Sequence, residues 1–225
     1  MHFEFLVEDY SGYKMLGNLI PMILRSDYDS FKIHQYRGCG SLPKGLKPNQ
    51  APEKRALLNQ LPRLLEGYGK QYQNFNSDNV VIVVCDLDQR DKSSFLSELN
   101  SVADSCVHSP QVRFCLAVEE GEAWLLGDWN AVKRAYPKAK EKIFNKYQND
   151  SICGTWELLA DIIYSGGAAK LKKQGPMIIG RTKYEWAEKI TPLMDISNNK
   201  SPSFNYFKST LKVSCNLSLN VMLTH

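Results

Sequence analysis

Three groups of acids in this chain have the types and spacing to hold a cation or move a proton. Asp86 and Asp88, one residue apart, close the apolar run Val80-Val81-Ile82-Val83-Val84-Cys85. Glu8 and Asp9 follow Phe5-Leu6-Val7, and Glu119, Glu120 and Glu122 follow Phe114-Cys115-Leu116-Ala117-Val118. Carboxylates crowded together repel one another unless a cation or a proton intervenes. All-oxygen donors suit a hard cation, so Mg²⁺ or Mn²⁺ is the expected cofactor. Such an ion neutralises charge on a phosphoryl group and acidifies bound water, and a spare carboxylate serves as general acid or base. The chemistry indicated is phosphoryl transfer or phosphodiester hydrolysis. Arg37 and Lys44, in the glycine-rich stretch 37–45, are the candidate phosphate holders. That stretch is neither a dinucleotide-binding nor a P-loop pattern, and an ordinary turn explains it as well.

Each acid also has a structural explanation. Asp9 or Glu119 could cap a helix, and Asp88 could pair with Arg90. Their placement favours a shared site. Residues 80–85 are apolar and mostly β-branched, as a strand buried on both faces must be. Strands are predicted over 2–8, 30–36, 79–88 and 112–119. Helices are predicted over 13–24, 54–72, 91–106 and 122–136, with Pro21 a candidate kink. This alternation implies an α/β fold with an open, mainly parallel four-stranded sheet flanked by helices. All three acidic strand ends then lie on one edge, where open α/β sheets bind ligands. After residue 136 the pattern is helical (156–164, 168–173, 183–194, 202–211). The expected organisation is an α/β domain over 1–136 and a helical extension over 137–225 packed on it.

Bulk properties are compatible with this reading. The chain has 225 residues, 43% hydrophobic content and net charge +4, enough for a sizeable core. The slight basic excess permits nucleic-acid contact without arguing for it. No apolar run approaches the roughly 18 residues that span a bilayer, and the first residues lack a signal-peptide pattern. A cytoplasmic protein without membrane contact is expected. Six cysteines form no CxxC pair and four histidines show no ligand spacing, so a zinc site has little support. The four tryptophans sit on helical segments and read as packing residues. Lys170, Lys172, Lys173, Arg181 and Lys183 read as a solvated basic face. Ser201-Pro202 reads as a helix entry rather than a nucleophile, since no histidine partners the serine.

A glutamate after the first strand and an Asp-x-Asp after a later one resemble the TOPRIM domain. Topoisomerases, primases and overcoming-lysogenization-defect nucleases share that domain. The resemblance implies that Glu8, Asp86 and Asp88 hold Mg²⁺ and that Glu8 assists proton transfer. A closer resemblance is to a TOPRIM-like family of bacterial proteins encoded beside an ABC/AAA-type ATPase. It rests on Phe5-Leu6-Val7-Glu8, Val83 to Asp88, Ala117 to Asp128 (with its Glu-Gly-Glu-Ala-Trp), Asp150 to Glu157 and Ser201-Pro202-Ser203-Phe204. Two departures stand out. Asp9 follows Glu8 where TOPRIM often has glycine, and only Asp91 loosely meets the third acid. Glu120 and Glu122 would complete the catalytic set instead.

The resemblance implies a Mg²⁺-dependent nuclease acting on DNA or RNA. It further implies an antiphage effector working with an ATPase, compatible with a homo-oligomer. The alternative is a non-catalytic subunit that binds nucleic acid or the ATPase and keeps the acids for structure. Haloacid-dehalogenase-type phosphatases place Asp-x-Asp on the first strand, and nucleotide-sugar transferases would leave Glu8 and Glu122 unexplained.

Overall fold

The computed structural model describes residues 1–38, 40, 56–73 and 78–222, with side chains as far as 215. Strands β1 (His2–Val7), β2 (Ser30–Gln35), β3 (Asn79–Asp86) and β4 (Val112–Ala117) form one parallel sheet in the order β2-β1-β3-β4. The expected α/β fold is therefore present, and every pairing is parallel. Strands β3 and β1 are central and buried on both faces; β3 is accordingly apolar from Val80 to Cys85, while β1 alternates at its start, where Glu4 is buried against His2 and His34. Helices α1 (Tyr10–Ile23), α2 (Leu57–Tyr72) and α3 (Lys92–Ser105) make the crossovers. Leu57, Leu61, Leu65, Phe95 and Leu99 of α2 and α3 cover one face with Leu6, Val81 and Val83. The other face meets α1 and the C-terminal helices.

Local chemistry moves several boundaries. Helix α1 starts at Tyr10 rather than 13, because Asp9 caps it, accepting from Gly12 N at 2.7 Å. Pro21 lies in its last turn and does not break it. Residues 122–136 form two helices, α4 (Glu122–Leu126) and α5 (Trp129–Ala135), where one was expected. Asp128 starts the second by accepting from Ala131 N at 3.0 Å. Gly127 between them admits Asn199, whose Oδ1 would lie 2.1 Å from any Cβ there.

Helices α6 (Glu141–Phe144), α7 (Thr155–Ile163), α8 (Gly167–Lys172), α9 (Pro176–Ile190) and α10 (Pro202–Met222) follow. Helix α9 lies along α1, and α10 packs on β4. Phe207 of α10 stacks on Trp124 at 4.9 Å and meets Phe5 of β1 edge-on at 6.3 Å. The C-terminal helices thus share one core with the sheet. Ser201 caps α10 as expected, accepting from Phe204 N at 3.2 Å.

One correction affects the site. Helix α9 begins at Pro176, not at 183. Lys183 falls on the inward stripe with Trp186, Ala187 and Ile190, spaced three, four and seven residues from it, rather than on a solvated basic face. Its side chain is 13% exposed.

Candidate functional site

The chain runs from β1 out to β2 and returns past β1 to β3, so connections diverge between the two central strands. That switch point is where open α/β sheets form ligand crevices. Glu8 leaves β1 there, and Asp86 is the last residue of β3. Glu8 Oε2 accepts a hydrogen bond from Asp86 N at 3.3 Å. A cavity of about 20 Å³ lies at this point, lined by Glu8, Asp9, Asp86 and Glu122 together with Met15 and Trp124. That is room for one water-sized particle.

The acids differ in how far the fold already satisfies them. Asp9 is occupied with capping α1. Glu119 accepts from Cys153 N (3.1 Å), Gly154 N (2.8 Å), Thr155 N (2.9 Å) and the Thr155 hydroxyl. Burial raises its pKa, but these donors outweigh it and hold the carboxyl below the usual range. Glu119 is a clamp on the start of α7. Glu120 joins it there, accepting from Trp156 N at 3.2 Å. Its other oxygen stands 3.8 Å from Lys183 Nζ, and Glu122 Oε2 stands 3.1 Å from the same nitrogen. Glu122 Oε2 makes no well-directed hydrogen bond.

Asp88 is not brought into this group. Its backbone is left-handed (φ 52°), its side chain is 53% exposed, and it pairs with Arg90 Nη2 at 3.2 Å. The turn is pinned from below by Asp88 N donating to the Glu119 carbonyl at 2.8 Å. Arg37 is exposed just beyond β2, and Lys44 lies outside the described residues. Among the described residues, no three His, Cys, Asp or Glu side chains converge on one point as they would around a bound ion.

Charge in the cavity is unbalanced. Burial, then Glu8, pushes the Asp86 carboxyl well above its ordinary range. Burial pushes Glu120 up to about 7, with Glu122 adding to it and Lys183 opposing. Burial also raises Glu122 against the pull of Lys183. For Lys183, burial works against the ammonium form but is outweighed by Glu122, Glu120 and Asp86. Asp86, Glu120 and Glu122 therefore keep protons in the native state that the unfolded chain has lost near neutral pH. Above about pH 5.5, where the lowered carboxyls such as Glu66 and Asp91 are ionised in both states, stability without divalent cations is expected to fall as pH rises to about 7. Mg²⁺ should reverse that trend, because a cation favours the ionised carboxylates. Thermal melts across this range, with EDTA or Mg²⁺, check both signs.

Lys183 is the member of the candidate site that sequence reasoning missed. The signal was present, because it is spaced three, four and seven residues from Trp186, Ala187 and Ile190. Other conspicuous pieces of the sequence tie helices together. Asp150 accepts from Ser203 N at 2.6 Å and from Ser201 Oγ at 2.7 Å, and Trp124 Nε1 donates to Ser203 Oγ at 3.0 Å. They hold α4, and through Glu119 also α7, against the start of α10.

Fold and site together define an open parallel α/β protein with an acidic switch point and a buried lysine set among its carboxylates. The chain matches the family model described as Domain of unknown function (DUF4276) over residues 7–212, and it belongs to that family. No curated protein and no solved structure matches it. No helix among the described residues is long and apolar enough to cross a membrane.

Proposed function

We propose that the chain is a Mg²⁺- or Mn²⁺-dependent nuclease hydrolysing phosphodiester bonds of DNA or RNA. The observation that carries this reading is the Glu8–Asp86 pair at the switch point, bordering a cavity that Glu122 also lines. Mg²⁺ is commonly held by one or two carboxylates, with water and substrate phosphate completing its shell. Two acids there suffice, and the excess negative charge fits a cation. Glu8 and Asp86 would hold the ion. It would acidify bound water and offset charge on the phosphoryl oxygens. Glu122 is placed to exchange a proton, because it lines the cavity and burial raises its carboxyl above the ordinary range. Lys183 fixes Glu120 and Glu122. The TOPRIM resemblance supports Glu8 and Asp86 as the metal holders, differs in also naming Asp88 and in giving proton transfer to Glu8, and adds an antiphage role beside an ABC/AAA-type ATPase.

Purified protein incubated with plasmid, single-stranded DNA and RNA tests this, with and without the ATPase. Cleavage that requires Mg²⁺ or Mn²⁺ and Asp86 supports it. No cleavage of any substrate under any condition overturns it. Asp88 belongs to the Asp-x-Asp but not to the cavity. Asp88→Asn is expected to leave activity about tenfold higher than Asp86→Asn does, since its charge acts through solvent. Equal losses would return Asp88 to the site.

One observation favours a second reading. Lys183 already neutralises part of the cluster, as it would in a non-catalytic subunit that keeps the acids for structure. Such a subunit would copurify with nucleic acid or the ATPase and cut nothing.

A further inference from the structure

Beside the acidic cavity is a second, larger cleft of about 480 Å³. Among the described residues, Tyr10 and Tyr13 of α1, Tyr184 of α9, and His34 and Gln35 of the edge strand β2 line it. It adjoins the cavity through the chain itself. Tyr10 follows Asp9, which lines the cavity, and Tyr184 follows Lys183, which pairs with Glu122. Tyr10 is 59% exposed and Tyr13 41%, so both rings are accessible from the cleft.

Gln35 Oε1 is buried, lines this cleft, and has no hydrogen-bond partner. A buried acceptor without a donor is rare and points to a missing one. His34 on the same strand is held in place by Glu4 at 2.6 Å. Arg37 is exposed directly after Tyr36, another lining residue.

We propose that this cleft receives an unpaired nucleobase of a single-stranded nucleic acid. The tyrosines supply aromatic faces, which stack on any base. The Gln35 carbonyl accepts from a ring or exocyclic N–H, and Arg37 offers positive charge to the neighbouring phosphate. The volume suits a nucleotide-sized ligand. A base paired in a duplex presents neither its face nor its Watson–Crick edge, so single strands are preferred. The inference deepens the nuclease reading and rests on it for the substrate class.

The test is equilibrium binding of fluorescein-labelled oligodeoxythymidylate and of a duplex competitor, measured in EDTA so that no cleavage intervenes. The wild type should bind the single strand in preference to the duplex. Tyr10→Ala, Tyr13→Ala and Tyr184→Ala should each weaken binding about tenfold, while the Phe variants retain it. Gln35→Leu should weaken binding with the fold intact by circular dichroism. Unchanged affinity in all three Ala variants, or equal binding of duplex, overturns the proposal. A cleft that takes a peptide strand would give that first result. Cleavage assays with Mg²⁺ separate the two readings. Tyr-dependent binding without cleavage sinks the nuclease alone, and cleavage indifferent to the tyrosines sinks the cleft alone.

Discussion

Replacing Asp86 by Asn is expected to remove cation-dependent cleavage and to make the cation-free protein more stable. The two effects share one cause. Asp86 ends a strand whose interior, Val80 to Cys85, is buried, and an ionised carboxylate there beside Glu8 is opposed by burial and by its neighbour. Asn keeps the shape without the charge, so the EDTA-treated fold should melt higher. Each 1 kcal/mol recovered shifts the melting temperature by about 2–4 °C in a chain of this size. Activity should fall at least about 100-fold, the scale set by loss of a general base or an electrostatic stabiliser. Calorimetry in EDTA and in Mg²⁺ reads the first effect, and cleavage rates read the second. A purely structural Asp86 would give the opposite sign in the melt.

Lys183→Met should be the most damaging single substitution at the site. The ammonium group stands 3.1 Å from Glu122 and 3.8 Å from Glu120, almost wholly enclosed. Removing one partner of a buried ion pair strands the other charge, at a cost of about 3–5 kcal/mol. Glu120 and Glu122 would then hold protons to still higher pH. Adding Glu122→Gln to Lys183→Met should restore much of the loss, because the stranded charge goes with it. Urea unfolding of the two single variants and the double variant gives the coupling directly. Additive losses would mean that Lys183 acts through packing alone.

Much of the scaffold was legible in the sequence for a simple reason. A strand buried on both faces tends to be continuously apolar, and the short, β-branched run 80–85 fits a strand better than a helix. The parallel sheet follows from alternating strands and helices, and it forces the acids at 8, 86 and 119–122 onto one edge. What periodicity could not supply was the direction of each side chain. Asp88 and Glu119 both adopt left-handed backbone, which turns Asp88 outward and Glu119 down onto α7. Spacing alone makes Asp86 and Asp88 look equivalent, yet only Asp86 lines the cavity. Lys183 shares a helical stripe with Trp186, Ala187 and Ile190 wherever the helix starts, so the spacing placed it inward although its charge suggested solvent. The helix itself starts earlier than its apolar pattern suggests, at the Gly175-Pro176 entry. The break at Gly127-Asp128 was likewise written in the sequence as a glycine followed by a capping acid.

The most direct test of the central claim is a crystal structure of the protein soaked in Mn²⁺, with anomalous data collected at the manganese edge. A peak is expected within coordination distance of both Glu8 and Asp86, at about 2.0–2.2 Å from carboxylate oxygens, together with its loss in Asp86→Asn. A well-ordered site with no peak there, or a peak held by other residues while cleavage continues, would contradict it.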